Sequence, residues 1–167
     1  YADHALPLSS GQTISQPSTI MIMLDALELR KTDRVLEVGA GSGYNAALIS
    51  GIAKEVITTE IIDGLIGRAK ENLKNAGIRN VKVVHADGSR GYEDEAPYDK
   101  IIITAACPDI PKPLVEQLKD RGIIVAPVGP PSSVQKMIKA VKDKGQLSIR
   151  ELGDFMFVPL KGKHGHN

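Results

Sequence analysis

The sequence holds one cysteine, almost no excess of charge, no long apolar run and no internal repeat. Each absence removes a class of protein. Cys107 has no partner within the chain, so a disulfide framework is excluded and a reducing cytoplasm is the expected setting. A formal charge of +1 gives no global pull toward nucleic acid or anionic lipid, and neither is expected as a partner. No stretch approaches the ~20 apolar residues that span a bilayer, and neither a spanning helix nor a secretory signal is expected. What is present is ordinary for a globular protein. Hydrophobic residues make up 42% of 167 and charged residues 25%, which suits one domain around one core.

Residues 1–16 are rich in Pro, Ser and Gly and read as an N-terminal loop. A helix is predicted from Pro17, with Ser15 as a candidate N-cap, because Ile20, Met21, Met23, Leu24 and Leu27 recur at helical spacing. From Arg34 strands and helices alternate. Predicted strands are Arg34–Val38, Glu55–Glu60, Val81–His85, Lys100–Thr104 and Gly122–Val125. Predicted helices are Tyr44–Ala53, Asp63–Ala76, with Gly77 as its cap, and Lys112–Leu118. Runs such as Ile101-Ile102-Ile103 suit strands buried on both faces. The pattern is that of an α/β domain with a mostly parallel, doubly wound sheet over residues 17–133, whose ligand belongs beyond the carboxyl ends of the strands. Residues 134–160 then read as an antiparallel hairpin on the sheet edge, with Lys136, Lys139, Lys142 and Lys144 as a solvated face that protects that edge. Residues 161–167 read as a mobile, solvated tail, which includes His164 and His166. No metal is expected.

The most informative stretch runs from Val35 to Gly43, Val-Leu-Glu-Val-Gly-Ala-Gly-Ser-Gly. An apolar strand enters a turn with glycine at every second position. Without a Cβ at those positions the backbone comes close to a nucleotide-like ligand. A dinucleotide fingerprint, G-x-G-x-x-G, would place its third glycine at position 44, which is Tyr44. This disfavours a nicotinamide-dependent oxidoreductase. The spacing G-x-G-x-G, with Glu37 two positions ahead of Gly39, resembles instead the cofactor loop of methyltransferases that use S-adenosyl-L-methionine. A glycine turn that only packs strand on helix is the plain alternative. Glu60 closes the next strand about 20 residues beyond the loop, where an acidic residue accepts from ribose hydroxyls in open α/β folds. Asp87 and Gly88 end the third strand. There Asp87 is a candidate acceptor for an adenine amine, and a simple Asp-Gly turn is the alternative. Thr104, Ala105 and Ala106 are small and leave room for the methionine portion. Cys107, with no histidine nearby in sequence, reads as a small buried side chain.

The segment Gly11-Gln12-Thr13-Ile14-Ser15-Gln16-Pro17, with Leu6-Pro7 ahead of it, resembles the signature of the protein-L-isoaspartate O-methyltransferase family. The resemblance continues through Leu36–Gly43, Asp87-Gly88-Ser89, Ala96-Pro97-Tyr98-Asp99, Pro111-Lys112-Pro113-Leu114, Pro127-Val128-Gly129 and Phe157-Val158-Pro159-Leu160. It implies a Rossmann-like methyltransferase fold, S-adenosyl-L-methionine as cofactor and S-adenosyl-L-homocysteine as product. It implies methyl transfer to the free α-carboxylate of L-isoaspartyl residues in damaged peptides and proteins. The ester then closes to a succinimide, and hydrolysis returns some normal aspartate. The resemblance makes Ser15 the active-site serine, with Thr13 beside it. Gln12, Thr13, Ile14 and Ser15 match positions that wrap the cofactor. So do Gly39, Ala40, Gly41, Ser42, Gly43, Glu60, Ile61, Asp87, Gly88 and Thr104. Val158 and Leu160, with Ser15, match positions that border the substrate. Phe157 to Leu160 is also a candidate strand edge for a peptide, and the positive end of the helix after Pro17 a candidate neighbour of its carboxylate. The family carries a helical segment ahead of the point where Tyr1 stands, and that segment is expected to be missing from this sequence. Rival readings are a corrinoid or RNA methyltransferase of the same fold, and a cofactor-binding module without catalysis.

Overall fold

The computed structural model describes Asp3, Leu6–Pro7, Thr13–Ile14 and residues 16–166. Short strands β1 (Leu6–Pro7) and β2 (Thr13–Ile14) pair antiparallel within the segment predicted to be loop. Helix α1 (Pro17–Leu27) follows. Its N-cap position falls at Gln16, not Ser15, and the Gln16 side chain makes no capping bond. An acid from upstream serves instead, since the Asp3 carboxylate accepts the Ser18 N–H at 3.0 Å. The positive end of α1 therefore already has an anion.

The remaining elements alternate as the apolar periodicity predicts. They are β3 (Arg34–Val38), α2 (Tyr44–Ser50), β4 (Glu55–Glu60), α3 (Asp63–Asn75), β5 (Val81–His85), β6 (Tyr98–Ile103), α4 (Lys112–Gln117), β7 (Leu118–Val128), β8 (Gln135–Asp143) and β9 (Gln146–Phe155). The predicted ends move by a few residues, most at the hairpin, whose second strand ends at Phe155 rather than Leu160, and at β7, which starts at Leu118 rather than Gly122. Gly77 takes φ +71 just past α3, the left-handed stop that glycine adopts at least cost.

Seven strands form one sheet in the order β5-β4-β3-β6-β7-β8-β9. The first five are parallel, and β8 and β9 run antiparallel. Alternation along each strand feeds two cores. On β3, Val35 packs with α1 and α2 on one face, with Ile102 and Val125 beside it. Its neighbour Leu36 faces the other way, into a core with Ile101, Ile103, Ile124 and Leu114 of α4. Burial on both faces is why these strands read as continuous apolar runs. Registry also sets the site. Val38 lies opposite Thr59 of β4 and Ile103 of β6, and Glu60 lies opposite His85 of β5. Four strands therefore end nearly level, and the loops that leave them meet above the sheet.

Two expectations are corrected at the C-terminal side. The lysine-bearing strand β8 is not the edge, because β9 covers it. Lys142 donates to the carbonyls of Val115 and Leu118 at 2.7 Å, Lys139 pairs with Glu28, and Lys136 pairs with Asp154 at 2.7 Å. Residues 161–166 are not a loose tail either. His166 N–H donates to Leu160 O at 2.8 Å, Lys163 N–H to Asp87 at 2.8 Å and His164 N–H to Ser89 Oγ at 3.0 Å. Gly162 allows this closeness. It adopts φ +120, and a Cβ there would collide with the Asp87 carboxylate. No helix among the described residues is long and apolar enough to cross a membrane.

Candidate active site

A cavity lies where β3, β4, β5 and β6 end, as the switch point of an open α/β sheet requires. The glycine loop forms one wall, and its geometry follows from its neighbours. Gly39 and Ala40 N–H both donate to Thr59 O, at 2.9 and 3.0 Å. Thr104 Oγ donates to the carbonyls of Val38 and Gly39, at 3.0 and 2.9 Å. Gly39 has φ +102, and a Cβ built on it would sit 2.5 Å from Thr104 Oγ. Two reasons therefore demand glycine there.

Glu60 ties the loop to the tip of β4. One carboxylate oxygen accepts the Gly41 N–H at 2.9 Å, and the other accepts Ile61 and Ile62 N–H at 2.9 Å each. The side chain is only 6% exposed, yet it borders the cavity. Three backbone donors fix its orientation before any ligand arrives. Gly88 forms the floor near β5. A Cβ on it would collide with Thr59 Oγ and lie 2.7 Å from Val38 Cγ1, so only glycine lets this turn close onto β3 and β4.

The far wall comes from the C-terminal strip. Ala106 N–H donates to Val158 O at 2.8 Å, and Leu160 N–H donates to Ala106 O at 2.7 Å. This strand-like exchange brings Val158, Pro159, Leu160 and Lys161 to the cavity. The strip is not the free edge predicted for a peptide. Gln135 Oε accepts Phe157 N–H at 2.8 Å, and His166 uses Leu160 O.

Of the predicted residues, the cavity gathers Gly39, Ala40, Gly41, Ser42, Glu60, Ile61, Gly88, Thr104, Val158 and Leu160. Gly43 stands outside it. Its φ is +82, and a Cβ there would press on Ala69 O and Leu73 of α3, so this glycine serves the packing of α2 on α3. Asp87 also stands off the lining. Its carboxylate accepts Ser89 N–H, Ser89 Oγ–H and Lys163 N–H. Burial raises its pKa, and these donors outweigh the burial and leave it below the usual aspartate range. Thr13 and Ile14 belong to β2. Gln12 and Ser15 lie outside the described residues. Cys107 is fully buried and its thiol is pushed up to about 12 by burial, which suits an inert side chain.

The sequence reading missed Ile20 and Met23 of α1, Asn45 of α2, and Ile62 and Leu65 beside Glu60. Periodicity marks the first two as core, and they are. The signal available was position, since α1 begins directly after the Gln12–Ser15 motif. Asn45 leads to a buried network. Its amide donates to Glu37 at 2.7 Å, and Thr58 Oγ donates to the other Glu37 oxygen at 2.5 Å. Glu37 is fully buried, and burial holds its carboxyl at about 7 despite these two donors. The folded state thus keeps a proton that the unfolded chain releases near its ordinary value of 4.5. The stability this proton linkage contributes is complete below that value and is lost as pH rises through about 7, by roughly 3 kcal/mol. Glu37→Gln is expected to flatten that slope between pH 5 and 8 in denaturant melts. Parallel pH profiles for variant and parent contradict the assignment.

A glycine loop under a β4 carboxylate, at the carboxyl ends of a seven-stranded sheet with a terminal antiparallel pair, defines a Rossmann-like methyltransferase of the S-adenosyl-L-methionine-dependent class. The family pattern described as protein-L-isoaspartate(D-aspartate) O-methyltransferase matches residues 1–165. The chain is 48% identical over 165 residues to the protein-L-isoaspartate O-methyltransferase of Methanoculleus marisnigri, covering 99% of this chain and 74% of that protein. A solved protein-L-isoaspartate O-methyltransferase superposes with a TM-score of 0.91 at 30% identity. That match covers 99% of this chain and 55% of the other, so the chain spans little more than half of that larger protein. A Plasmodium falciparum protein assigned to the same enzymes, solved with S-adenosyl-L-homocysteine, superposes at 0.81 with 26% identity, covering 96% of this chain and 81% of that one. The chain belongs to the protein-L-isoaspartate(D-aspartate) O-methyltransferase family.

Proposed function

We infer that this cavity takes S-adenosyl-L-methionine and that the methyl goes to the α-carboxylate of L-isoaspartyl residues in damaged proteins. The supporting observation is convergence. A glycine loop, the Glu60 carboxylate and the Val158–Leu160 strip come from distant parts of the chain to line one cavity. The residues fit the cofactor. Gly39 and Gly41 allow close backbone approach, Glu60 offers a pre-oriented acceptor for ribose hydroxyls, and Gly88 leaves a flat surface for a ring. Ile61 lines the same end, while Thr104 and Ala105 border the part that takes the methionine.

When bound, the cofactor supplies an electrophilic methyl on a positively charged sulfur. The incoming carboxylate is already a nucleophile, so no side chain needs to remove a proton. The protein's work is placement and exclusion of water. Ile20, Met23, Val158 and Leu160 line the cavity with apolar surface, which strips water from the approaching carboxylate. Ser15 donates a hydroxyl hydrogen bond that orients it, and Thr13 helps shape the pocket. Gln12 and Ile14 complete the wrap around the cofactor. Fully buried, reduced Cys107 accords with a cytoplasmic setting.

Ser15→Ala is expected to lower kcat by at least about tenfold, the worth of one hydrogen bond to a charged group, with cofactor affinity unchanged. Equal kcat in the variant removes Ser15 from the reaction. The chemical class of the product tests the function itself. A carboxyl methyl ester releases its label as methanol in mild base, whereas a methylated RNA base or corrinoid carbon retains it. Base-stable label overturns the reading.

A further inference from the structure

Asn45 stands in the first turn of α2 and lines the cavity. The nitrogen end of its amide is committed, since Nδ2 donates to a Glu37 carboxyl oxygen at 2.7 Å. The oxygen end is not. Asn45 Oδ1 is buried and has no hydrogen-bond partner among the described residues. Most buried polar atoms of folded proteins are paired, so an exception at the wall of a site asks for a partner from outside the chain. The Glu37 bond also decides which end of the amide is left over. Thr58 Oγ holds the second Glu37 oxygen at 2.5 Å, so Glu37 is fixed and its first oxygen takes the NH₂ group.

The order of the strands says which part of a ligand meets this oxygen. Gly88 follows β5, Glu60 ends β4, and Thr104 and Ala105 follow β6, with β3 between β4 and β6. A cofactor with its ring at Gly88 and its ribose at Glu60 carries its amino-acid end over β3 and β6. Glu37 belongs to β3, and Asn45 is bound to it. The amino-acid end bears an ammonium and a carboxylate. Only the ammonium donates, and a free acceptor matches a donor. The Thr104 hydroxyl is already spent on the carbonyls of Val38 and Gly39. The cavity is narrow, about 100 Å³, where pockets for ligands of this size start at roughly 300 Å³. Binding therefore spreads its walls and brings an atom set just behind them into reach.

We propose that Asn45 is a specificity-determining contact of this cavity: its Oδ1 accepts a hydrogen bond from the α-ammonium of the cofactor, while Glu37 fixes the orientation of the amide. The proposal rests on the reading that the cavity takes S-adenosyl-L-methionine. Asn45 moves no proton and touches no reacting atom. It favours ligands that carry the amino group over adenosine thioethers that lack it.

The test is calorimetric titration of the full chain with S-adenosyl-L-homocysteine and with its deaminated analogue, in which hydrogen replaces the amino group. Asn45→Ala is expected to weaken the first about tenfold or more and the second by no more than about twofold. The side-chain amide NMR signals of Asn45 in the parent serve if the variant fails to fold. They are expected to shift further with S-adenosyl-L-homocysteine than with the analogue. Equal losses for the two ligands mark a merely structural Asn45 and overturn the proposal, as do equal amide shifts. An unchanged affinity of the variant for S-adenosyl-L-homocysteine overturns it as well, and leaves the cofactor reading standing. A parent that binds neither ligand overturns the cofactor reading and this proposal with it.

Discussion

Glu60→Ala is expected to weaken S-adenosyl-L-methionine binding by about 100-fold, the loss of two hydrogen bonds to a charged acceptor. The effect has two sources. One is the ribose diol, which loses its acceptor. The other is the loop, because Gly41, Ile61 and Ile62 N–H all lose the carboxylate that holds them. Glu60→Gln separates these sources. It keeps one acceptor oxygen but turns an NH₂ toward a backbone donor, so it is expected to fall between parent and alanine. Calorimetric titration of the cofactor analogue S-adenosyl-L-homocysteine reads both variants. A dissociation constant unchanged in Glu60→Ala removes the ribose assignment, whatever becomes of turnover.

Gly39→Ala is expected to cost about 3 kcal/mol of stability and most of the cofactor affinity. The left-handed backbone contributes roughly 1–2 kcal/mol, since φ is +102 and alanine avoids that region. Overpacking contributes a similar amount, because the new Cβ falls 2.5 Å from Thr104 Oγ. Thr104 then swings away or the loop lifts, and its bonds to Val38 and Gly39 carbonyls are lost. The two parts can be measured apart. Adding Thr104→Ala removes the oxygen that clashes and leaves the backbone strain. The double variant is therefore expected to recover part of the stability lost by Gly39→Ala, a positive coupling between touching residues. Strict additivity of the two substitutions in urea melts contradicts the steric account.

Much of this arrangement was legible in the residues. Apolar runs at Ile101–Ile103 and Ile123–Val125 announced buried parallel strands, and the glycine spacing from Gly39 announced the ligand end of the sheet. Glu60 could be placed at a strand tip because Val56 and Ile57 define the strand that it closes. What was not legible depends on contacts distant in sequence. Nothing local shows that Val158 and Leu160 exchange hydrogen bonds with Ala106. Asp87 illustrates a sharper limit. An Asp-Gly pair at a strand end predicts a ligand acceptor or a turn, and the structure adds a third partner, the Lys163 N–H of the folded-back C-terminal segment. That contact needs Gly162, and a glycine near a chain end reads as looseness rather than as the condition for a close approach. Gly43 shows a related limit. All three glycines of the loop look alike in sequence, but only the fold shows that the last one faces α3. Ile20 and Met23 show the converse. Their helical spacing correctly predicted burial, and burial beside a cavity also makes them its wall.

The two ends of the sheet carry different chemistry. At the carboxyl ends, one carboxylate is fixed by backbone donors and the surroundings are apolar, which suits a cationic cofactor and a dehydrated carboxylate. At the amino ends, Lys100 is 6% exposed and lies near the carboxylates of Asp33 and Glu28. Proton linkage at Glu37 runs between these regions, within the core strand β3.

The most direct test of the central claim uses two peptides that differ only in one linkage, isoaspartyl in one and normal aspartyl in the other. Each is incubated with the chain and with S-adenosyl-L-methionine labelled in its methyl group. Base-labile label on the isoaspartyl peptide alone is the expected result. Equal labelling of both peptides, or label on neither while the cofactor binds, contradicts the account.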